Sequence, residues 1–124
     1  MNARLALCLA ALLLFVAVLI GAFGAHALRS RLAPDLMAVY ETAVQYHFWH
    51  ALGLLAVAIL LLHKPDSAPL ALSAWLFVAG IALFSGSLYL MAVSGARGLG
   101  AVTPFGGIAF LAAWAALAWA AIRW

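Results

Sequence analysis

Four long stretches of the chain contain no Asp, Glu, Lys or Arg, and short charged segments separate them. These stretches cover residues 5–25, 42–62, 67–96 and 98–122. A membrane-spanning helix needs roughly 20 mostly apolar residues, and a charge at its centre costs about 2.5–3.5 kcal/mol on insertion scales. The pattern predicts an all-α integral membrane fold, a bundle of four transmembrane helices spanning about residues 5–26, 46–62, 70–93 and 104–122. Barrel strands would instead alternate apolar and polar residues over about ten positions.

The segment between the first two spans has helical periodicity of its own. Pro34 can open a helix, and Asp35, Glu41 and Gln45 share its polar face. The apolar positions are spaced three and four residues apart, as Leu36, Val39, Tyr40, Ala43, Val44 and His47. This spacing predicts an amphipathic helix near residues 34–46 that lies at the membrane interface and leads into span two.

The other connections have readable turn chemistry. Prolines in the segment 63–69 end span two and start span three, and so short a link makes these spans antiparallel neighbours. The segment 94–100 is a glycine-rich turn, after which Thr103 and Pro104 are typical of an N-cap and a first helical residue. Span one is longer than the 7–15 apolar residues usual in a signal peptide, so we interpret it as a retained span.

Composition excludes an ordinary soluble domain. Of the 124 residues, 70% are hydrophobic and 7% are charged, against about 25% charged in typical soluble domains. Six basic and three acidic residues give a net charge of +3, too few for a nucleic-acid-binding face. Cys8 stands alone, so no disulfide forms within the chain. We expect one membrane domain over residues 1–124.

Small residues four apart mark candidate helix contacts, because they let backbones approach closely in membranes. Gly21 lies between Ala17 and Ala25 on span one, and Gly86 pairs with Ala82 on span three. Span four carries Ala112 and Ala116 in line with Ala120. We therefore predict packing at Gly21, Gly86, Ala112 and Ala116, although alanine is common throughout the chain.

Polar side chains gather at the membrane side shared by the first and third loops. They are His26, Glu41, His47, His50, Tyr89 and Arg97. Ionisable groups near the hydrocarbon are functional candidates, and a shared network would satisfy them together. We predict one polar cluster of these six, in which Glu41 is the least secure member because it lies on the opposite face of a continuous helix from His50, about 180° around the axis. Glu41 could instead be a solvated residue, or an inter-helix partner of Arg97 or a histidine.

No catalytic or metal-binding arrangement stands out among these residues. His47 and His50 share a helix face and could ligate a metal, but two histidines do not make a site. Ser85 and Tyr89 are more typical of helix–helix hydrogen bonds than of a polar pathway. There is no paired-carboxylate site and no glycine-rich phosphate loop. We expect a protein that is not an enzyme and that uses no cofactor.

Three segments resemble a known family of small membrane proteins. They are residues 21–26 (GAFGAH), 40–51 (YETAVQYHFWHA) and 85–107, which begins SGSLYL and ends GLGAVTPFGG. In order and spacing they resemble the domain-of-unknown-function 423 family, the YgdD-like and transmembrane protein 256-like proteins. The resemblance implies a four-span protein of a bacterial cell membrane with no established activity. Its recurring polar positions map to the six cluster residues together with Thr103 and Pro104.

Two classes of function are consistent with these observations. The first is a non-enzymatic structural or partner-binding membrane component, whose partners beyond the lipid bilayer are further copies of itself or other membrane proteins. The second is a small transporter or channel component that moves ions, protons or metal along the His/Arg cluster. We favour the first and expect no nucleic-acid partner. The basic residues divide three to three between the two sides, so the positive-inside rule does not orient the chain.

Overall fold

The structure, a computed structural model of all 124 residues, consists of helices joined by short loops. Span one is α1 (Ala3–Phe23), which a π-helical turn extends over Gly24–Leu28; span two is α2 (Pro34–His63). Span three combines α3 (Ala68–Gly80), a second π-helical turn (Ile81–Ser85) and α4 (Gly86–Ser94). A 3₁₀ turn (Arg97–Ala101) then leads into span four, α5 (Thr103–Ile122).

The predicted all-α fold is confirmed. Four helices are long and apolar enough to cross a membrane, and they extend over Ala3–Leu28, Pro34–His63, Ala68–Ser94 and Arg97–Ile122. Each contains one of the four spans predicted from the charge-free stretches. Helices satisfy their own backbone hydrogen bonds, which is why long apolar segments in lipid adopt them.

Spans two and three form the centre of the bundle. In the most apolar 18-residue stretch of each of these two spans, 44% of the residues are buried, against 17% in span one and 28% in span four. Span one packs chiefly on α2, whereas α5 packs chiefly on α3 and the π-helical turn that follows it. The outer faces of spans one and four carry exposed apolar side chains such as Phe15 and Leu111, as lipid contact requires.

The segment 34–46 is helical, but the separate interfacial helix is not confirmed. Its residues form the first half of α2, which continues without a break from Pro34 to His63. A separate helix in the membrane plane would be divided from the span by a break, whereas α2 is one α-helix of 30 residues. At 1.5 Å per residue its 30 residues extend about 45 Å, longer than a hydrocarbon core of about 30 Å.

The interior divides into two parts. The part towards the second loop, which we call the apolar half, holds a continuous cluster of fully buried apolar side chains from all four spans. It includes Ala6, Ala10, Leu54, Val57, Leu61, Leu70, Phe77 and Ala113. Its one buried polar side chain, Ser73, donates its hydroxyl to the carbonyl of Ala113 over 2.8 Å.

Close helix contacts occur mainly at glycines that the small-residue stripes did not mark. A β-carbon at Gly106 would overlap the backbone of Phe84, and one at Gly80 would overlap the ring of Phe110. Of the predicted positions, Gly21 does face Val44 of α2, with 3.3 Å from its ideal β-carbon position to Val44 Cγ1. Gly86 has no close inter-helix neighbour, and Ala112 and Ala116 are only half-buried.

Loop three follows the turn chemistry in part. Gly95 ends α4 in the left-handed conformation, with φ of 71°, which glycine adopts without steric penalty. The prediction that Thr103 caps α5 is wrong, since Thr103 is the first residue of the helix and Val102 holds the N-cap position. The hydroxyl of Thr103 instead shares a hydrogen bond of 2.7 Å with Ser87 on α4, which ties spans three and four together.

Candidate functional site

His47 and Tyr89 form a hydrogen bond between α2 and α4. His47 Nδ1 lies 2.9 Å from the Tyr89 hydroxyl, and either group can donate. The histidine is almost fully buried, and its Nε2 has no hydrogen-bond partner in the protein. The Tyr89 ring also lies 5.6 Å from that of Tyr40, whose hydroxyl donates to the carbonyl of Ile20 over 2.5 Å. Spans one, two and three are therefore linked through these aromatic side chains.

The π-helical turn of span three brings a serine to the same region. Ser85, its last residue, is fully buried and donates its hydroxyl to the carbonyl of Ala43 over 2.8 Å. A π-helical turn widens the helix and rotates the residues after it, and Tyr89 lies on the next turn. Ser85 and Tyr89 thus both make inter-helix hydrogen bonds to α2, as their sequence spacing indicated.

His50 lies in an aromatic environment, apart from His47 and Tyr89. Its Nδ1 donates to the carbonyl of Tyr46, 2.7 Å away, one turn earlier on α2. Its ring stacks on Phe110 of α5, with centroids 3.5 Å apart and planes 11° apart. The position of His50 is explained by packing between spans two and four, so it does not share the hydrogen bonds of His47.

Two of the three arginines near this membrane side form exposed ion pairs, with partners that the sequence did not assign to them. Arg29 donates from Nη2 to Glu41 Oε1 over 2.8 Å, whereas we had considered Arg97 or a histidine as the partner of Glu41. Arg97 pairs with Asp35 at the start of α2. More than half of each of the four side chains is exposed, so each pair stabilises the fold only slightly.

The structure does not bring the six predicted residues into one network. His47 and Tyr89 are joined, His50 is buried among aromatic rings, and Glu41 and Arg97 belong to separate exposed ion pairs. His26 lies in the first π-helical turn, exposed and without a hydrogen bond to another side chain. The physical reason is helix rotation, because the exposed face of α2 carries Glu41 while its buried face carries His47 and His50.

Arg29 and Tyr40 also line a groove that the sequence analysis did not anticipate. The groove has a volume of about 350 Å³ and lies between the end of span one and the first turns of α2. Its other polar side chains are Glu41 and Gln45, and its apolar ones include Met37 and Val44. The sequence suggested Arg97 or a histidine as the partner of Glu41, and the presence of Arg29 in the same loop region is the signal that could have added this arginine.

The polar half of the bundle is the part towards loops one and three, and it includes His47, Ser85 and Tyr89. Its side chains form hydrogen bonds and ion pairs. No group of three or more His, Cys, Asp or Glu side chains is placed to hold a metal ion. The acids Asp35 and Glu41 each form an exposed ion pair with an arginine. The fold and this arrangement define a multi-pass α-helical membrane protein whose buried polar side chains lie mostly towards one membrane side.

Comparison with known proteins identifies the family. Residues 20–107 match the family described as "Protein of unknown function (DUF423)", and the chain belongs to this family, as the resemblance implied. It is 44% identical over 109 residues to the UPF0382 membrane protein YwdK of Bacillus subtilis, covering 88% of this chain and 89% of that protein. It is 36% identical to the UPF0382 inner membrane protein YgdD of Escherichia coli, covering 99% of this chain and 93% of that protein.

The relatives agree with the predicted location. A UPF0382 membrane protein of Haemophilus influenzae is 38% identical, covering 94% of this chain and 93% of its relative. These relatives are named as bacterial membrane proteins, and one as an inner membrane protein. Together with its four apolar helices, they make the chain a multi-pass membrane protein of bacterial type. No solved structure matches the chain.

Proposed function

We propose that the chain is a non-enzymatic membrane component that binds a protein partner through its exposed charged surface at loops one and three. This surface, the loop face, consists of residues 29–35, 41 and 97–98. Its ion pairs Arg29–Glu41 and Arg97–Asp35 are exposed. Charge pairs at a rim contribute to specificity and association rate more than to fold stability, which suits a recognition surface.

One observation carries the proposal: buried polar side chains do not continue across the bundle, since the apolar half holds only Ser73, whose hydroxyl donates to the carbonyl of Ala113. His47, Ser85 and Ser87 lie in the polar half and are engaged by side chains or backbone carbonyls. The apolar half is closed by fully buried side chains such as Leu54, Leu61 and Phe77. An ion or proton crossing the bilayer needs polar groups or water along its whole path, so this arrangement argues against transport.

Flux measurements test whether the chain transports protons or ions, which the proposal excludes. The purified chain in vesicles should conduct no protons or metal ions above the level of protein-free vesicles, with and without a membrane potential. His47→Ala should leave that baseline unchanged, because His47 is placed as a structural residue. A flux that His47→Ala abolishes would favour the transporter alternative and refute the proposal.

Site-specific cross-linking tests whether the loop face binds a protein partner. A photoreactive side chain at Gly98, which is exposed on loop three with nothing near its β-carbon position, should give one adduct of defined mass in native membranes. The matched control is the same group at Leu111, which is 72% exposed on the lipid-facing side of α5. The Gly98 adduct should disappear when excess unlabelled chain competes. Equal adduct patterns at the two positions would contradict a specific partner surface.

A further inference from the structure

The groove beside Arg29 has a polar rim over an apolar floor. Arg29, Glu41 and Gln45 form the rim, and Gly21, Met37 and Val44 contribute the floor. Because Gly21 has no side chain, the helix surface of span one stays open there. Tyr40, tied to the carbonyl of Ile20, holds span one against α2 and fixes the width of the groove. Such a combination suits a ligand with one apolar and one charged end.

The groove lies where the hydrocarbon meets the lipid headgroups. The charge-free stretch of span one, residues 5–25, is about 30 Å long at 1.5 Å per residue, which matches the hydrocarbon thickness. Gly21 therefore lies just inside the hydrocarbon boundary. Arg29 follows Ala25 by four residues, about 6 Å further along the helix, and so reaches headgroup level.

The charges of the rim are balanced and only partly engaged. Arg29 uses one N–H group to reach Glu41 Oε1, which leaves four of the five donors of a guanidinium without a protein partner. Glu41 Oε2 accepts no hydrogen bond from the protein. The rim thus offers phosphate-binding donors beside a carboxylate acceptor, each more than half exposed.

We propose that this groove binds the headgroup of a phospholipid that carries both a phosphate and a primary amine, a phosphatidylethanolamine. The phosphate accepts hydrogen bonds from Arg29, as guanidinium and phosphate geometries match. The ammonium group donates to Glu41 Oε2, and the glycerol end lies over Met37 and Val44. The volume of about 350 Å³ is at the small end of ligand pockets, so it holds a headgroup while the acyl chains remain in the bilayer.

The chemistry of Glu41 selects this lipid over two alternatives. A phosphatidylglycerol has no cation for the carboxylate and brings a second negative charge beside it. A phosphatidylcholine has a quaternary ammonium group, which carries no N–H to donate. The inference goes beyond the proposed function, since it assigns a lipid to the groove beside Arg29 and Glu41. These two residues also belong to the loop face, so the test below uses the purified chain without a protein partner.

Thermal unfolding of the purified full chain in detergent tests the proposal. Short-chain phosphatidylethanolamine, phosphatidylcholine and phosphatidylglycerol are added separately over the same concentration range, and soluble phosphoethanolamine is a fourth addition. A ligand that binds only the folded state raises Tm as its concentration rises. Phosphatidylethanolamine should raise Tm at the lowest concentration. Equal effects of all three lipids, a stronger effect of phosphatidylglycerol, or a full effect of soluble phosphoethanolamine would each overturn the assignment.

A pair of acidic variants locates the effect. Glu41→Gln should weaken the apparent affinity for phosphatidylethanolamine about tenfold, as expected for losing one charged hydrogen bond at an exposed site. Asp35→Asn removes the same charge and an exposed ion pair from the same helix, but Asp35 does not line the groove. It should keep the preference seen in the natural sequence. Loss of the preference in both variants, or in neither, would refute a headgroup site at Glu41.

Discussion

The two halves of the bundle are stabilised in different ways. In the apolar half, side chains such as Leu54, Val57 and Phe77 are fully buried and packed on one another. In the polar half, hydrogen bonds from Tyr40, Ser85 and Tyr89 join helices to one another. The two π-helical turns also differ in their place, since one ends span one and the other interrupts span three.

This difference shows how a small membrane bundle acquires a defined structure without a hydrophobic driving force between its helices. Lipid is as apolar as the core, so helix association depends on close packing and on polar contacts. In the apolar half, apolar packing predominates and Ser73 adds one inter-helix hydrogen bond, whereas in the polar half several hydrogen bonds specify helix rotation. Residues at the loop face can then vary without disturbing the apolar half.

The largest expected effect is in the apolar half. Phe77→Ala should lower the free energy of unfolding in detergent by about 3 kcal/mol, the low end of the usual loss for a Phe→Ala cavity. The loss is at the low end because moving an apolar side chain from the protein interior to lipid costs little. Phe77 is fully buried, and its ring makes a T-shaped contact with that of Trp114, with centroids 4.8 Å apart. Phe105→Ala is the control, since Phe105 is 65% exposed. Equal losses for the two variants would mean that the apolar half is not closely packed.

Next comes the contact between spans three and four. Gly106→Ala should destabilise the protein by about 2 kcal/mol, because the added β-carbon overlaps the backbone of Phe84 and cannot be relieved by a rotamer change. The control is Gly98→Ala, where the new methyl group meets nothing within 4 Å. Chemical unfolding in detergent measures both. A neutral Gly106→Ala would show that the two spans are further apart than described.

A smaller effect is expected at the hydrogen bond in the polar half. Tyr89→Phe should cost about 1–2 kcal/mol, since it leaves both nitrogens of buried His47 without a partner. Adding His47→Leu should recover part of that loss, because replacing both partners removes the unsatisfied group. A double-variant cycle measures this coupling. Strictly additive losses would indicate that the two side chains do not interact.

The smallest effect should be at the loop face. Arg97→Ala breaks only an exposed ion pair with Asp35, so its Tm in detergent should match that of Lys64→Ala. A shared polar network would have made Arg97 the more important residue, and this equality therefore distinguishes separate ion pairs from a network. A clearly lower Tm for Arg97→Ala would restore the single-network hypothesis.

The sequence predicted the spans because the bilayer imposes a length and excludes charge, and both can be read from residue order alone. It also indicated that Ser85 and Tyr89 join helices, because four residues separate positions on one helix face. The ion pairs were not predictable in the same way. Arg29 and Arg97 are equivalent candidates for Glu41 in the sequence, and only the rotation of α2 selects Arg29. The close contacts at Gly80 and Gly106 were not predicted, because their neighbours, Phe110 and Phe84, belong to other spans.

The second loop has a consequence for how the chain is made. Only residues 64–67 separate α2 from α3, so these two spans cannot settle in the bilayer far apart. Once the ribosome has released both, they can enter the membrane as one helical hairpin, with Lys64 and Asp66 held at its tip. Contacts between neighbours in sequence form fastest during folding. The hairpin would then be the template on which span one and the later-synthesised span four assemble.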